Sequence, residues 1–200
     1  MKKIIVDILL LILMIMEYSK TYLPGEIHEI IGILLIALVT VHIILNKNYI
    51  KTIPKGKYNT KRKALFVTNI AFLIAFCITS IFGILSSQYI LTPLNIGNLS
   101  IISYHKILAY LCIIILGIHL GFNLEKTFKK IDNKLIYLVD AIIIIFGIYS
   151  IIQTDFYNHI TGNFGFSQVT GNIFIISVEY LSIILMVTIM TKLILLSLKD

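Results

Sequence analysis

The chain has 200 residues, of which 58% are hydrophobic and only 14% are charged, and its mean hydropathy is +0.95. Soluble domains are about half apolar and about a quarter charged. This composition therefore excludes a water-soluble enzyme, a disordered tail and, despite the net charge of +7, a basic nucleic-acid-binding domain. Both cysteines stand in apolar runs, which excludes a disulfide framework. The sequence predicts one integral membrane domain over 1–200, a multi-pass protein of the cell membrane.

Six apolar runs follow one another along the chain, and a helix needs about 20 such residues to cross the hydrocarbon layer. In chain order they cover 4–21, 27–45, 64–87, 104–124, 135–152 and 173–196. The first is interrupted by Asp7 and Glu17, and the fifth is short and contains Asp140. Runs of this length are too long for barrel strands. The predicted fold class is therefore all-α, a bundle of six transmembrane helices.

The basic residues predict how the bundle is oriented, because loops on the cytoplasmic side of a membrane carry an excess of lysine and arginine. Alternate connections and the two termini hold fifteen of the seventeen basic residues: Lys2, Lys3, Lys47, Lys51, Lys55, Lys57, Lys61, Arg62, Lys63, Lys126, Lys129, Lys130, Lys134, Lys192 and Lys199. The opposite side holds only Lys20 and Lys106. Both termini are predicted to be cytoplasmic, and the positive charge is interpreted as an orientation signal rather than a nucleic-acid surface.

Four of the five histidines lie in two of these spans with the same spacing. His28 and His42 of the second span are 14 residues apart, and so are His105 and His119 of the fourth. Fourteen residues advance a helix by about 21 Å and return to within about 40° of the same face. Because both spans run in the same direction, we expect His28 at the depth of His105 and His42 at the depth of His119.

Two imidazoles at each of two depths fit bis-histidine haem, because a haem iron has two axial positions on opposite faces of a flat macrocycle. Zinc needs three or four protein ligands in a tetrahedron, and neither cysteine is in register with a histidine. A single histidine in a span can instead line a water cavity or bond a neighbouring carbonyl. The repeated spacing favours two haem b groups, with His28 and His105 ligating one iron and His42 and His119 the other.

Small and basic residues near these histidines each allow two interpretations. Gly32, Gly117 and Gly121 either let a macrocycle approach closely or let helices pack on one another. Lys20 and Lys106 either pair with the propionates of a haem on their side or lie among solvent and lipid headgroups, and the long lysine stem favours the second interpretation.

Other polar residues receive weaker predictions. The loop 153–172, rich in aromatic residues, is the best docking candidate, although aromatic side chains also concentrate at lipid headgroups. His159 in this loop has no partner histidine and is not predicted as a ligand. Asp7 and Asp140 are expected to reach the cytoplasmic surface, which each approaches within about two helical turns. The role of Glu179 stays open.

Two segments carry a family resemblance: HEIIG at 28–32 with the apolar run to His42, and HKILAY at 105–110 with GIHLG at 117–121. Over roughly 24–122 the chain resembles the flavinylation-associated cytochrome family. It is also similar, more distantly, to the cytochrome b subunits of formate dehydrogenases and to ferric-reductase-like proteins. The resemblance implies a diheme core over 24–124 and an extracytoplasmic flavin-carrying partner. It leaves the role of the last two helices, 135–196, open.

These observations predict a membrane b-type cytochrome that relays electrons across the bilayer. The donor is expected to be a quinol or a cytoplasmic protein, and the acceptor the extracytoplasmic flavin-carrying protein. No glycine-rich nucleotide motif or long polar segment is present, which favours an electron-transfer subunit over a stand-alone reductase. The alternative is a metal-ion or proton-coupled transporter that uses its intramembrane histidines.

Overall fold

The computed structural model describes residues 2–128, 133–164 and 171–197, without the side chains of 126–128. Basic residues at 129, 130 and 199 and part of the docking loop, 165–170, lie outside the described residues. The described part forms α1 (Lys2–Tyr18), α2 (Gly25–Leu45), α3 (Lys47–Thr52), α4 (Thr60–Leu85), α5 (Leu99–Phe128), α6 (Lys134–Gln153), α7 (Phe156–Thr161) and α8 (Ile173–Ser197). Two 3-10 turns, Lys20–Tyr22 and Thr92–Leu94, precede α2 and α5.

The predicted all-α class is confirmed for the described residues, whose regular structure is helical throughout. Five helices, α2, α4, α5, α6 and α8, are long and apolar enough to cross a membrane. Helix α1 has only 17 residues and carries charges near both ends, so it is shorter than a typical span of about 20 residues. Six spans and their orientation remain predictions.

The outer surface of the bundle is apolar. Ile44, Val67 and Ile145 expose 59%, 62% and 69% of their surface, and many other large apolar side chains of α2, α4 and α6 are also exposed. Soluble monomers rarely expose apolar patches larger than a few hundred Å². The chain is therefore a membrane protein, with lipid covering these side chains.

Four asparagines mark where long helices begin. The side-chain oxygen of each accepts a hydrogen bond from a backbone N–H in the first turn, which satisfies a donor that has no partner inside the helix. These caps precede α4, α5, α6 and α8, and are Asn59, Asn98, Asn133 and Asn172. The cap residues explain why the apolar runs begin as helices at these positions rather than as extended chain.

Helix α8 lies at the centre of the tightly packed part of the bundle, against α5 and α6. Its Ile183 and Ile184 are almost completely buried. Glycines let its backbone approach both neighbours: a Cβ at Gly121 of α5 would lie 2.5 Å from Thr191 Cβ, and one at Gly147 of α6 would lie 2.6 Å from Met186 Cβ. We call α5, α6 and α8 the packed side.

The packed side also contains a buried ion pair. Lys192 Nζ lies 2.5 Å from Asp140 Oδ2, and the two residues expose only 4% and 8% of their surface. The prediction that Asp140 reaches the membrane surface is therefore wrong, because it pairs with a lysine of α8 inside the bundle. Lys192 likewise faces a neighbouring helix rather than solvent.

The remaining long helices bury few of their side chains. Helix α1 packs along α2, and α4 packs along α5, whereas α2 makes few contacts with α4 and does not pack closely on α5. We call α1, α2, α4 and the facing surface of α5 the histidine side, because all four histidines of the repeated spacing lie there.

Candidate functional site

The structure brings the histidines of α2 and α5 together in pairs. The ring centres of His28 and His105, the first pair, are 6.3 Å apart, and the ring planes are inclined by 79°. His42 lies within electrostatic range of His119, and these form the second pair. The two helices therefore run in the same direction, and the second pair lies about 21 Å farther along the bundle.

Helix α4 orients both histidines of α5. His105 Nδ1 donates to the backbone carbonyl of Thr79 at 2.9 Å, and His119 Nδ1 donates to Asn69 Oδ1 at 2.8 Å. Asn69 is fixed in turn, because its Nδ2 donates to the hydroxyl of Tyr49 in α3 at 2.9 Å. The acceptors are all neutral oxygens, so both α5 imidazoles carry their proton on Nδ1.

Helix α1 supplies partners for both histidines of α2. His42 Nδ1 lies 2.7 Å from Asp7 Oδ1. His28 Nδ1 lies 2.7 Å from Glu17 Oε2, although this contact is an ion-pair approach rather than an aligned hydrogen bond. The α2 histidines therefore face carboxylates, whereas the α5 histidines face neutral oxygens.

These contacts leave the same ring nitrogen available in all four histidines. With Nδ1 directed at an oxygen, a neutral imidazole presents Nε2 as its lone-pair donor, which is the usual arrangement of a metal-ligating histidine. His42 Nε2 has one weak contact, 3.4 Å from Asn46 Nδ2. The four imidazoles thus lie at two separate positions, each with Nδ1 facing an oxygen.

Each position offers two histidine side chains rather than three or more converging metal ligands. Across the described residues, no three His, Cys, Asp or Glu side chains converge as a metal site. Cys77 is exposed on α4, and Cys112 is buried on α5 with its Sγ 4.0 Å from the Thr79 hydroxyl. Two-ligand positions of this kind suit a cofactor that supplies the remaining coordination itself.

The glycines near the histidines have different surroundings. A Cβ at Gly83 would lie 3.0 Å from His105 Cε1, whereas the nearest atom to a Cβ at Gly32 would be Glu17 Oε1 at 3.9 Å. Gly117 and Gly121 contact α8, not the histidines. The macrocycle interpretation of these two glycines is therefore wrong, and they serve helix packing.

A carboxylate fastens the connection between α4 and α5 to α2, directly beside His28. Glu29 accepts hydrogen bonds from the Ser87 hydroxyl at 2.7 Å and from the backbone N–H groups of Gln88 and Ile90 at 2.6 and 2.7 Å. The Tyr89 ring also lies against the start of α2, because a Cβ at Gly25 would overlap it. This contact holds the end of the bundle at the first pair.

The two lysines predicted on the non-cytoplasmic side lie near the first pair. Lys20 is within electrostatic range of Lys106 and of Glu17, and both lysines are within range of His105. The Lys106 ammonium also lies 4.9 Å from the ring centre of Phe164. Two lysines and two carboxylates, those of Glu17 and Glu29, therefore lie near the first pair.

His159 lies apart from both pairs, in the short helix α7. Its ring stacks on Tyr110 of α5 with centres 4.4 Å apart and planes inclined by 9°. Burial lowers the pKa of His159 and the Lys106 ammonium lowers it further, while the Asp155 carboxylate opposes both. The side chain packs α7 against α5.

The groups behind the histidines carry little signal in the sequence. Asp7 and Glu17 were visible only as charges that interrupt an apolar run, and the available signal was their cost inside a membrane. Asn69 was a single amide in an apolar helix, and Thr79 contributes only a backbone carbonyl. Which residues stand behind each Nδ1 depends on how the helices are rotated about their axes.

No family model, curated protein or solved structure matches this chain.

Proposed function

We propose that the chain is a membrane b-type cytochrome in which two histidine pairs each hold one haem b. His28 and His105 would ligate one iron, and His42 and His119 the other. The observation that carries this proposal is the geometry of the first pair, with ring centres 6.3 Å apart and ring planes nearly perpendicular.

That separation fits two imidazoles on one iron. A metal–imidazole bond is about 2 Å long and the ring centre lies about 1 Å behind the bonded nitrogen, so two axial rings have centres about 6 Å apart. Rings in edge-to-face contact also have centres about 4.5–7 Å apart, so the proposal rests on the repeated histidine spacing together with this distance. The residues present therefore fit the group.

The surroundings of the histidines support the same proposal. Ligating histidines usually donate their second ring nitrogen to a carboxylate or a carbonyl, and oxygens of Glu17, Asp7, Asn69 and Thr79 occupy these positions. Zinc is a poorer fit, because its sites need three or four converging protein ligands. The resemblance of 24–122 to the flavinylation-associated cytochromes agrees with this choice.

The proposed orientation follows from the basic residues. With six spans and both termini in the cytoplasm, the second pair would lie towards the cytoplasm and the first pair towards the outside. When bound, each haem supplies one-electron redox chemistry, and two haems in opposite leaflets give a relay across the bilayer. We propose a quinol or a cytoplasmic protein as donor and an extracytoplasmic flavin-carrying protein as acceptor.

The chain itself would bind and orient the groups. Helices α1 and α4 fix the imidazoles from behind, and Glu29 holds the outer connection beside His28. Lys20 and Lys106, which lie near His105, would be the cations available to haem propionates. The exposed side-chain fraction of His28 is only 17%, so protein and lipid limit the access of water to this end.

The test is the visible spectrum and haem content of the protein purified in detergent. The expected result is two haem b groups per chain, with His105→Ala and His42→Ala each losing one. His159→Ala is the matched control, because this histidine belongs to neither pair, and it should keep both haems. A folded protein without haem, or histidine variants that keep both groups, would overturn the proposal.

A colourless folded protein would favour the transporter alternative. Asp7 and Glu17 beside the histidines are groups that a proton or metal-ion pathway also uses. Uptake of protons or of a divalent metal ion into proteoliposomes then becomes the measurement, with His28→Ala and His42→Ala as the variants that should abolish it.

A further inference from the structure

We infer that α1 sets the reduction potentials of the two haems through carboxylates that back the two histidines of α2. The inference rests on the proposed function. Glu17 Oε2 lies 2.7 Å from His28 Nδ1, and Asp7 Oδ1 lies 2.7 Å from His42 Nδ1. One short helix, outside the segment with family resemblance, therefore reaches both positions.

The two ligating helices differ in what stands behind their histidines. The imidazoles of α5 donate to neutral oxygens of α4, namely the Thr79 carbonyl and Asn69 Oδ1. Those of α2 face negative charge. Each pair thus combines one carboxylate-backed ligand with one carbonyl-backed ligand, and the negative charge enters both sites from the same helix.

A carboxylate behind a ligating imidazole shifts the potential in a known direction. It raises the basicity of the ring, which strengthens donation to the more positive ferric iron. Its negative charge also favours the ferric state by Coulomb attraction, most strongly where solvent is excluded. Both effects lower the reduction potential of the haem to which the histidine is bound.

The two carboxylates differ in exposure, so their effects should differ in size. The side chains of Glu17 and His28 are 16% and 17% exposed, whereas those of Asp7 and His42 are 50% and 29% exposed. Solvent and salt screen an exposed charge. Glu17 is therefore the stronger determinant, although the nearby Lys20 ammonium offsets part of its charge.

Helix packing does not explain these acids. Glu17 Oε1 is buried without a hydrogen-bond partner among the described residues, so the carboxylate is not part of a satisfied network that fastens α1. An ionisable group in an apolar helix is expensive and usually functional. Its 2.7 Å approach to His28 is the contact that accounts for it.

The experiment is a redox titration of the purified protein with both haems bound. Glu17→Gln should raise one midpoint potential, changing the ferrous-to-ferric ratio of that haem about tenfold at fixed ambient potential, which is about 59 mV. Asp7→Asn should raise the other midpoint by a smaller factor, about threefold, because solvent screens this charge. Glu179→Gln is the matched control, a carboxylate of α8 that touches no histidine, and should move neither.

A reciprocal variant separates tuning from structural support. Asn69→Asp places a carboxylate behind His119, so it should lower the same midpoint that Asp7→Asn raises, and it should alter the ferric electron paramagnetic resonance spectrum of that haem. If Glu17→Gln loses its haem, the inference is tested by Asp7→Asn and Asn69→Asp, which should shift the same midpoint potential in opposite directions. Two bound haems with unmoved midpoints would overturn this inference alone, whereas a parent protein without haem would overturn the proposed function.

Discussion

On one face of α5, helix α8 approaches so closely that glycines form the contact, and Gly117 and Gly121 meet Val187 and Thr191. On the opposite face, α2 does not pack closely on α5, and histidines lie between the two helices. The same helix thus borders a dense interior on one side and a pair of ligand positions on the other.

The difference shows which residues hold each side together. The packed side is stabilised by apolar side chains, glycine contacts and the ion pair of Asp140 and Lys192. The histidine side is held by polar contacts to imidazoles and by Glu29 at one end. Substitutions should therefore affect folding most on the packed side, and on the histidine side they should also affect the content of the proposed haems.

The largest effect is expected at the buried ion pair. Asp140→Leu removes the carboxylate that lies 2.5 Å from Lys192 Nζ and should cost about 3–5 kcal/mol, because the lysine charge stays buried. The double variant Asp140→Leu/Lys192→Met should recover most of this, because replacing both charges by apolar groups is often neutral. Unfolding in mixed detergent micelles measures both, and a double variant as unstable as the single one would contradict the assignment.

The next effect tests the glycine contact between α5 and α8. Gly121→Val places a branched side chain where even a Cβ would lie 2.5 Å from Thr191 Cβ and 3.0 Å from the Thr188 carbonyl oxygen. Overpacking of this kind should cost about 3 kcal/mol. Thermal unfolding followed by circular dichroism is the measurement. An unchanged midpoint would show that the two helices are not in contact there.

A smaller effect is expected at the polar fastening of the histidine side. Glu29→Gln keeps the shape but removes the charge that accepts from Ser87 and from the N–H groups of Gln88 and Ile90. The loss should be about 1–2 kcal/mol, confined to the α4–α5 connection. Hydrogen exchange at 86–98 should accelerate while α8 keeps its protection. Equal acceleration in α8 would contradict a local role.

The smallest effect on stability is expected at Gly32. Its nearest neighbour to an added Cβ is 3.9 Å away, so Gly32→Ala should be neutral or stabilise by up to about 1 kcal/mol. Gly32→Leu should also fold, but in the proposed cytochrome it should lower the haem content of the first pair, one turn from His28. A folded Gly32→Leu protein with full haem content would place the macrocycle away from α2 at this turn.

Much of the fold could be predicted because membrane helices are specified locally. Apolar run length placed every long helix within about five residues of its observed ends. The equal spacing of His28–His42 and His105–His119 predicted which residues meet. Helix periodicity keeps the two histidines of each helix on one face. The first conclusion needed no knowledge of how distant helices pack, whereas the second also assumed that α2 and α5 face each other.

Errors arose where helix rotation decides the outcome. Gly117 and Gly121 stand two positions from His119, which is about 200° around the helix, so they face α8 rather than the second pair. Asp140 meets a lysine 52 residues away. Asp7 and Glu17 reach the histidines only because one face of α1 lies on α2. No local sequence pattern specifies these contacts between helices.

The sparse packing of α2 against α5 has a consequence for how the protein is made and kept. A ligand that binds only the folded form adds stability by mass action, and here it would join two helix pairs that few side chains connect. In the proposed cytochrome, insertion of haem should therefore be the last step of assembly. In cells starved of iron or porphyrin, quality-control proteases should remove the polypeptide, so that its abundance follows haem supply.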